Sequence, residues 1–299
     1  MALPRWFPLA RKEAVALLKS KGIWILAPLL VVWGYGPTYI SWDLLGPDVT
    51  VGFVQVAGSI LLPLCVLLLT YRSIIQERTS GSLKFLLGLP LTRTEILIGK
   101  VVGRSVGAVL PFALSAVVLG VIGGVKFGLF SPLRFIGVFL VTVLYIAVLV
   151  SIATAASAVT TSTVRVTAVL FGGFFLLLTL GWKIVGVRLY SAVTGNAVNP
   201  LSPPADGLLF AILRFSPGRA YRTVTNWILG LANSGGQYTS VDTVLYPGHS
   251  VNEYVVDAAF SGQPVPAYLH ESIALVVLLL WGVIPLALAR YRFNRGDLA

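Results

Sequence analysis

Long apolar runs separated by short clusters of charge make up most of the chain. A helix that crosses a bilayer needs about 20 mostly apolar residues. Six stretches meet that requirement: 23–40, 51–71, 105–125, 135–158, 166–182 and 272–289. None contains Asp, Glu, Lys or Arg. Trp24, Trp33, Tyr35, Tyr39, Tyr71, Trp182 and Trp281 fall toward their ends, where amphipathic rings settle at headgroup level. The pattern predicts an all-α membrane protein with six transmembrane helices, read as one transmembrane domain over 1–299. The first run starts late and lacks a small-residue cleavage site, so it is not read as a signal peptide.

Three segments fall outside these runs. In 4–21, Leu9, Ala10, Ala14, Leu17 and Leu18 share one helical side, with Arg11, Lys12 and Lys19 off it. This reads as an amphipathic helix on the inner membrane surface, or as a plain charged flank. Residues 72–104 form a loop between the second and third runs. Residues 183–271 form a large segment between the fifth and sixth. There, Ser216-Pro217 suits a helix start. Tyr221, Val224, Trp227, Ile228 and Leu231 then recur at helical spacing, with Arg219, Arg222, Thr223 and Asn226 opposite and Ser234-Gly235-Gly236 as the stop. That predicts an amphipathic helix at the outer interface.

Composition removes the competing classes. Apolar residues make up 57% and charged residues 11%, against about 25% charged in soluble domains, and mean hydropathy is +0.88. The single cysteine, Cys65, excludes a disulfide framework, and two histidines are few for a zinc or haem protein. The net charge of +11 is unevenly placed. With the N-terminus inside, 15 of the 22 cations face the cytoplasm against four of the 11 anions. The positive-inside rule then puts both termini in the cytoplasm of a multi-pass cell-membrane protein. Anionic lipid and a soluble partner, not nucleic acid, are the expected counterparts.

The loop 72–104 is strongly punctuated. Thr79 or Ser80 suits a helix cap, Gly88 an end and Pro90 a stop. Leu83, Leu86 and Leu87 form a stripe between them, and Glu77 and Arg78 stand at the entrance. Thr92-Arg-Thr-Glu95 then matches a capping box that opens the third span. A short, partly apolar helix between two spans suits a coupling helix seated in a soluble motor; a helix resting on headgroups is the other reading. Gly99, Gly103 and Gly107 form overlapping Gly-x-x-x-Gly units, which allow close helix approach within one subunit or between two.

Several chemistries find no support. Gly99-Lys100 is followed by Val101, so the phosphate-cradling loop of an ATPase is missing. The runs lack the ionisable relay groups of ion-driven carriers. Their polar groups are Gln55, Ser59, Thr70, Ser115, Thr142, Tyr145, Ser151 and Thr154, which either bond one another or line a passage. His270-Glu271 is followed by Ala274, not the second histidine of a zinc motif. No nucleophile elbow is expected, and one Cys with one Met is a poor copper path.

The stretch from Leu61-Leu-Pro-Leu64 through Glu77-Arg-Thr-Ser-Gly-Ser-Leu-Lys-Phe-Leu-Leu-Gly-Leu-Pro-Leu-Thr-Arg93 to Gly99-Lys100 resembles the second span and coupling loop of ABC transporter type-2 permeases. The nearest branch is the nitrous-oxide-reductase maturation permease type. Ala10-Arg-Lys-Glu13, Phe215-Ser-Pro-Gly-Arg-Ala-Tyr221 and Arg290-Tyr-Arg-Phe-Asn-Arg295 extend the likeness over most of the chain. The resemblance implies a non-enzymatic exporter subunit with six helices, paired with a second permease subunit as a homodimer or pseudo-symmetric pair. An ABC ATPase subunit would bind ATP and Mg, with no cofactor in this chain. It assigns coupling to Glu77, Arg78, Gly81, Ser82, Leu83, Leu86 and Leu87, and an extracellular gate or lid to the outer helix. The long outer segment departs from the pattern and leaves an extracellular accessory protein open. A membrane anchor without transport and a self-powered carrier are the alternatives.

Overall fold

The computed structural model describes residues 3–35, 45–81, 90–245 and 251–295. Among them there is no strand, only two isolated bridges, Asn199 with Ser202 and Ser234 with Val255. Four helices are long and apolar enough to cross a membrane: Arg93–Phe127, Pro132–Val159, Thr163–Leu180 and Glu271–Arg292. Two bent pairs bring the total to six if each counts as one span. The chain is therefore helical and multi-pass, as its apolar runs predict.

The first bent pair is α1 (Phe7–Lys19) and α2 (Lys21–Tyr35), which meet at 70° across Ser20. The second is α3 (Val49–Ser59) and α4 (Leu61–Thr70), bent by 40° at Ile60. Pro63 lies two residues into α4. Proline in a helix body removes a backbone donor and crowds the carbonyl four residues before it, here that of Ser59. After α4 comes a single turn, α5 (Ile75–Thr79).

Helix α6 (Arg93–Phe127) is the longest, at 35 residues. Its start is the expected capping box, with Thr92 and Glu95 bonded reciprocally. Gly128, at a φ of 92°, ends it. At 1.5 Å per residue it is about 52 Å long, well beyond the roughly 30 Å hydrocarbon core. The first turns of α6, carrying Lys100 and Arg104, thus form a stem below the predicted span at 105. Helix α7 (Pro132–Val159) opens on Ser131, whose hydroxyl accepts from Arg134 N. Asp48 joins that start to α3 through Ser131 N and Arg134, both at 2.7 Å. Helix α8 (Thr163–Thr167) runs on as a π-helix, Ala168–Leu180.

In the segment 183–271, α9 (Trp182–Thr194) is closed by left-handed Gly195. Helices α10 (Gly207–Arg214), α11 (Pro217–Leu229), α12 (Tyr238–Leu245) and α13 (Val256–Phe260) follow. Tyr190, Leu209, Phe210, Leu213, Tyr254, Val256, Phe260 and Leu269 form a small core there. The main core lies among α2, α3, α4, α6, α7, the π-helix, α11 and α14 (Glu271–Arg295).

Helix α11 is packed on more sides than its amphipathic spacing alone suggests. It packs against α3, α7 and α14, and Arg219, Thr223 and Asn226 from its polar side are buried with the apolar side. Its polar side chains have buried partners, which amphipathic spacing alone does not reveal. It also ends sooner than expected, at left-handed Gly230, with Leu231 N donating to Asn226 O.

Candidate functional site

The sequence points to the loop after α4, and the structure supplies its root. Of the seven residues assigned there, Glu77, Arg78 and Gly81 are described. Ser82, Leu83, Leu86 and Leu87 lie outside the described residues, as does the expected end at Gly88. The helix that Thr79 or Ser80 is expected to cap lies outside the described residues. Thr79 and Ser80 finish α5, where their hydroxyls donate back to Gln76 O and Glu77 O, and Gly81 follows at a φ of 74°.

Glu77 leads into a buried charge cluster. Lys100 Nζ stands 2.8 Å from Glu77 Oε1 and 2.8 Å from Glu13 Oε1. Arg104 Nε donates to Glu13 Oε2 at 2.9 Å, and its NH1 donates to Leu69 O near the end of α4. The Lys100 side chain is 0% exposed. Two acids and two bases balance, as buried charge requires. Burial alone would raise the Glu13 carboxyl, but Lys100 and Arg104 outweigh it and hold its pKa below the usual value of 4.5. Three elements remote in sequence, α1, α5 and α6, thereby meet at one point.

The glycine stripe explains how α1 comes so close. Gly99 faces Leu9 and Trp6 O, Gly103 faces the Ala10 carbonyl and Glu13, and Gly107 faces Leu17. A Cβ at Gly103 would overlap the Ala10 oxygen. The stripe therefore packs two helices of one chain. The apolar side of α1, with Leu9, Ala10 and Ala14 buried, is turned onto α6; Arg11, Lys12 and Val15 are exposed. The sequence carried a signal for this site: Gly99-Lys100, Gly103-Arg104 and Gly107 repeat every fourth residue, so both cations flank the glycine seam.

On its other side the loop root is bolted to the end of α7. Ser157 Oγ accepts from Ile74 N and Ile75 N, both at 3.0 Å. The Arg78 guanidinium donates to Thr160 O at 3.1 Å and Ala158 O at 3.4 Å, carbonyls a helix end leaves unpaired.

At the opposite end of the spans, α3 and α7 hold α11 by uncharged bonds. Gln55 of α3 donates to Thr225 Oγ1 at 2.8 Å and Asn226 Oδ1 at 2.7 Å, and accepts from Tyr238 N at 2.9 Å. Tyr221 stacks on Tyr145 with centroids 4.7 Å apart, and its hydroxyl lies 3.0 Å from Thr142 Oγ1. Gly58 gives room to that hydroxyl. Val224 is buried, Ile228 packs on Gly137, Leu231 borders the core, and Trp227 is 44% exposed beside His270. Of the polar groups in the runs, Gln55, Ser59, Thr70, Ser115 and Thr142 are all bonded to protein. On α11 itself, Arg219 pairs with Glu253 at 2.9 Å, and Arg222 Nε donates to Gly235 O at 2.8 Å. Burial would raise Glu253, but Arg219 and Lys183 keep its pKa lowered.

Gly103-Arg-Ser-Val-Gly107 has the spacing of a nucleophile elbow but lies inside continuous α6, without the strand–turn–helix such an elbow needs. Among the described residues no group of three His, Cys, Asp or Glu is placed to hold a metal ion.

The profile of the ABC-2 family transporter proteins matches residues 7–298. The chain is also similar to the probable ABC transporter permease protein NosY of Stutzerimonas stutzeri, 33% identical over 115 residues. That alignment covers 36% of this chain and 40% of the relative. The NosY protein of Pseudomonas aeruginosa is 31% identical over 120 residues, 37% of this chain and 42% of its own length. The chain thus spans less than half the length of either relative. Both belong to the branch that the loop motif resembles.

Proposed function

The chain belongs to the ABC-2 transporter family, and from that membership we propose that it is the transmembrane permease subunit of an ATP-driven exporter. A separate ATPase subunit would bind ATP and Mg on the cationic face, which we place in the cytoplasm together with both termini. Two permease subunits would flank the pathway. The observation that carries this reading is the neutral cluster of Glu13, Lys100, Arg104 and Glu77. It stands at the root of the loop and joins that loop to α1 and α6, while Arg78 and Ser157 join it to α7. A push on the loop would reach three helices at once. A merely solvated surface loop needs none of these bonds.

Span two is shaped to pass such a push selectively. Its half next to the loop, α4, is tied to the cluster through Leu69 O. Its other half, α3, is tied to α11 through Gln55. The break at Ile60 lies between the two ties.

The test is co-expression of the chain with its ATPase. Expected results are stoichiometric co-purification and hydrolysis that depends on the membrane subunit. Leu87→Asp should weaken association and abolish transport while the spans still insert, since covering one such side chain contributes about 1.5–3 kcal/mol. Leu87→Met should be tolerated. Glu77→Ala should leave the complex assembled with its ATPase rate no longer responsive to the permease. Association and hydrolysis unchanged by Leu87→Asp would overturn the proposal in favour of a simple anchor.

A further inference from the structure

Helix α14 leaves the bundle core on one side and is flanked by two long hollows. The first has a volume of about 560 Å³ and lies among α6, α7 and α14. The second, about 550 Å³, lies among α7, the π-helix and α14. Small residues make the room: Ala147 and Gly282 in the first, Ala155, Ala156 and Gly173 in the second.

Each hollow ends in an arginine. On α14 the first runs from Leu279 through Gly282 and Leu286 to Arg290. The second runs from Trp281 through Pro285 and Ala289 to Arg292. Residues two apart lie on nearly opposite sides of a helix, so the two arginines close the two flanks separately. Both stripes cover 11 helical steps, about 16 Å. That is the depth of one leaflet, since half of a hydrocarbon core of about 30 Å is about 15 Å. Both Arg290 and Arg292 are exposed.

We propose that the two flanks of α14 are binding sites for anionic phospholipid, with an acyl chain in each hollow and the phosphate on Arg290 or Arg292. Length, apolar walls and a cation at the end together match one lipid molecule. The surplus of cations on this face favours an anionic headgroup over a zwitterionic one. A second copy of the chain fits less well. The ridge of Val276, Leu280 and Ile284 projects from α14, and one partner helix cannot enter hollows on both its flanks. Assignment to the inner leaflet rests on the orientation proposed above, whereas binding itself does not.

The test is native mass spectrometry of the full-length chain, purified in mild detergent and titrated with phosphatidylglycerol or phosphatidylcholine. Expected is retention of two phosphatidylglycerol molecules per chain and weaker retention of phosphatidylcholine. Arg290→Gln and Arg292→Gln should each remove one, and the double variant both. Gly282→Leu fills the first hollow without changing charge; an added Cβ there meets Val148 at an ordinary 3.4 Å, and one lipid should be lost. Equal retention of the two lipids, unchanged retention in the arginine variants, or a change in oligomeric state with Gly282→Leu would each overturn the proposal. None of these readouts involves the ATPase, so failure of the transport reading leaves the lipid result distinguishable.

Discussion

The two ends of span two are fastened by different chemistry. At the loop root, four charged side chains balance one another around Lys100. At the other end, Gln55 and Tyr221 use only neutral hydrogen bonds and ring stacking. Position explains the choice. The root sits on the stem of α6, beside exposed turns where a charge can be hydrated if a pair opens. Gln55 and Tyr221 are enclosed by spans, and the charges of α11, Arg219 and Arg222, are satisfied away from α3 and α7 by Glu253 and Gly235 O. A charged fastening can come apart and re-form near water, while a neutral one holds in the interior. The difference teaches which end is suited to move.

That contrast is broken most severely by Lys100→Met. Glu13 and Glu77 would then face each other without the cation between them. Loss of one member of a buried ion network costs about 3–5 kcal/mol, and we expect a loss of that order in thermal unfolding, with α1 opened to protease. Arg165→Gln, at an exposed position, should change little. Acid should act along the same route. Because the folded Glu13 pKa lies below 4.5, its pairing stabilises the fold above about pH 4.5 and is lost as pH falls through the lowered value. Lys100→Met should remove much of that acid dependence.

Gly103→Val attacks the same end through shape. Its Cβ would meet the Ala10 carbonyl, so α1 must shift away from α6 and draw Glu13 from both cations. Overpacking costs about 1–3 kcal/mol, and the upper end is expected because the obstacle is backbone. A spin label on Val15 should gain mobility. If Gly103→Val leaves both stability and that mobility unchanged, the glycine seam does not set the position of α1.

Much of the architecture is legible in the sequence, because apolar runs, caps and helical spacing are local. The helical, multi-pass character, the Thr92–Glu95 capping box and the start at Ser216-Pro217 are of this kind. The charge cluster is not local: Glu13 and Lys100 are 87 positions apart, and nothing in spacing says which acid a buried lysine will meet. The glycines could be read as a packing seam, but not which helix fills it. The burial of α11 was hidden for a related reason. Arg219, Thr223 and Asn226 read as a wet face until Glu253, Gln55 and the backbone around Ser234 are brought beside them.

At the neutral end, Gln55→Leu should cost about 1–3 kcal/mol, the penalty for leaving buried partners unsatisfied. Tyr238 N would lose its acceptor, and Thr225 and Asn226 would lose a donor. Asn226 would keep its bonds to Ser234 O and Gly236 O, so α11 should stay folded while loosening from α3. Hydrogen exchange should therefore rise at Tyr238 and leave α1 unaffected. Exchange spreading to α1 would mean that the two ends are not separate fastenings.

The smallest expected effect is that of Tyr221→Phe, and it separates the two parts of the neutral fastening. The ring would keep its stacking on Tyr145, while the hydroxyl shared with Thr142 would go. Thr142 would retain its bond to Val138 O at 2.7 Å, so no buried donor is stranded. The net worth of such a hydrogen bond is about 0.5–1.5 kcal/mol, and the loss should fall in the lower half of that range. Tyr221→Ala removes the ring as well and should cost about 3–5 kcal/mol, as large-to-small changes of buried aromatics do. A wide gap between the two variants in thermal unfolding would show that packing, with the hydroxyl as a minor partner, holds α11 among the spans. Equal losses would assign the fastening to the hydroxyl and place it nearer in kind to the polar root at the other end.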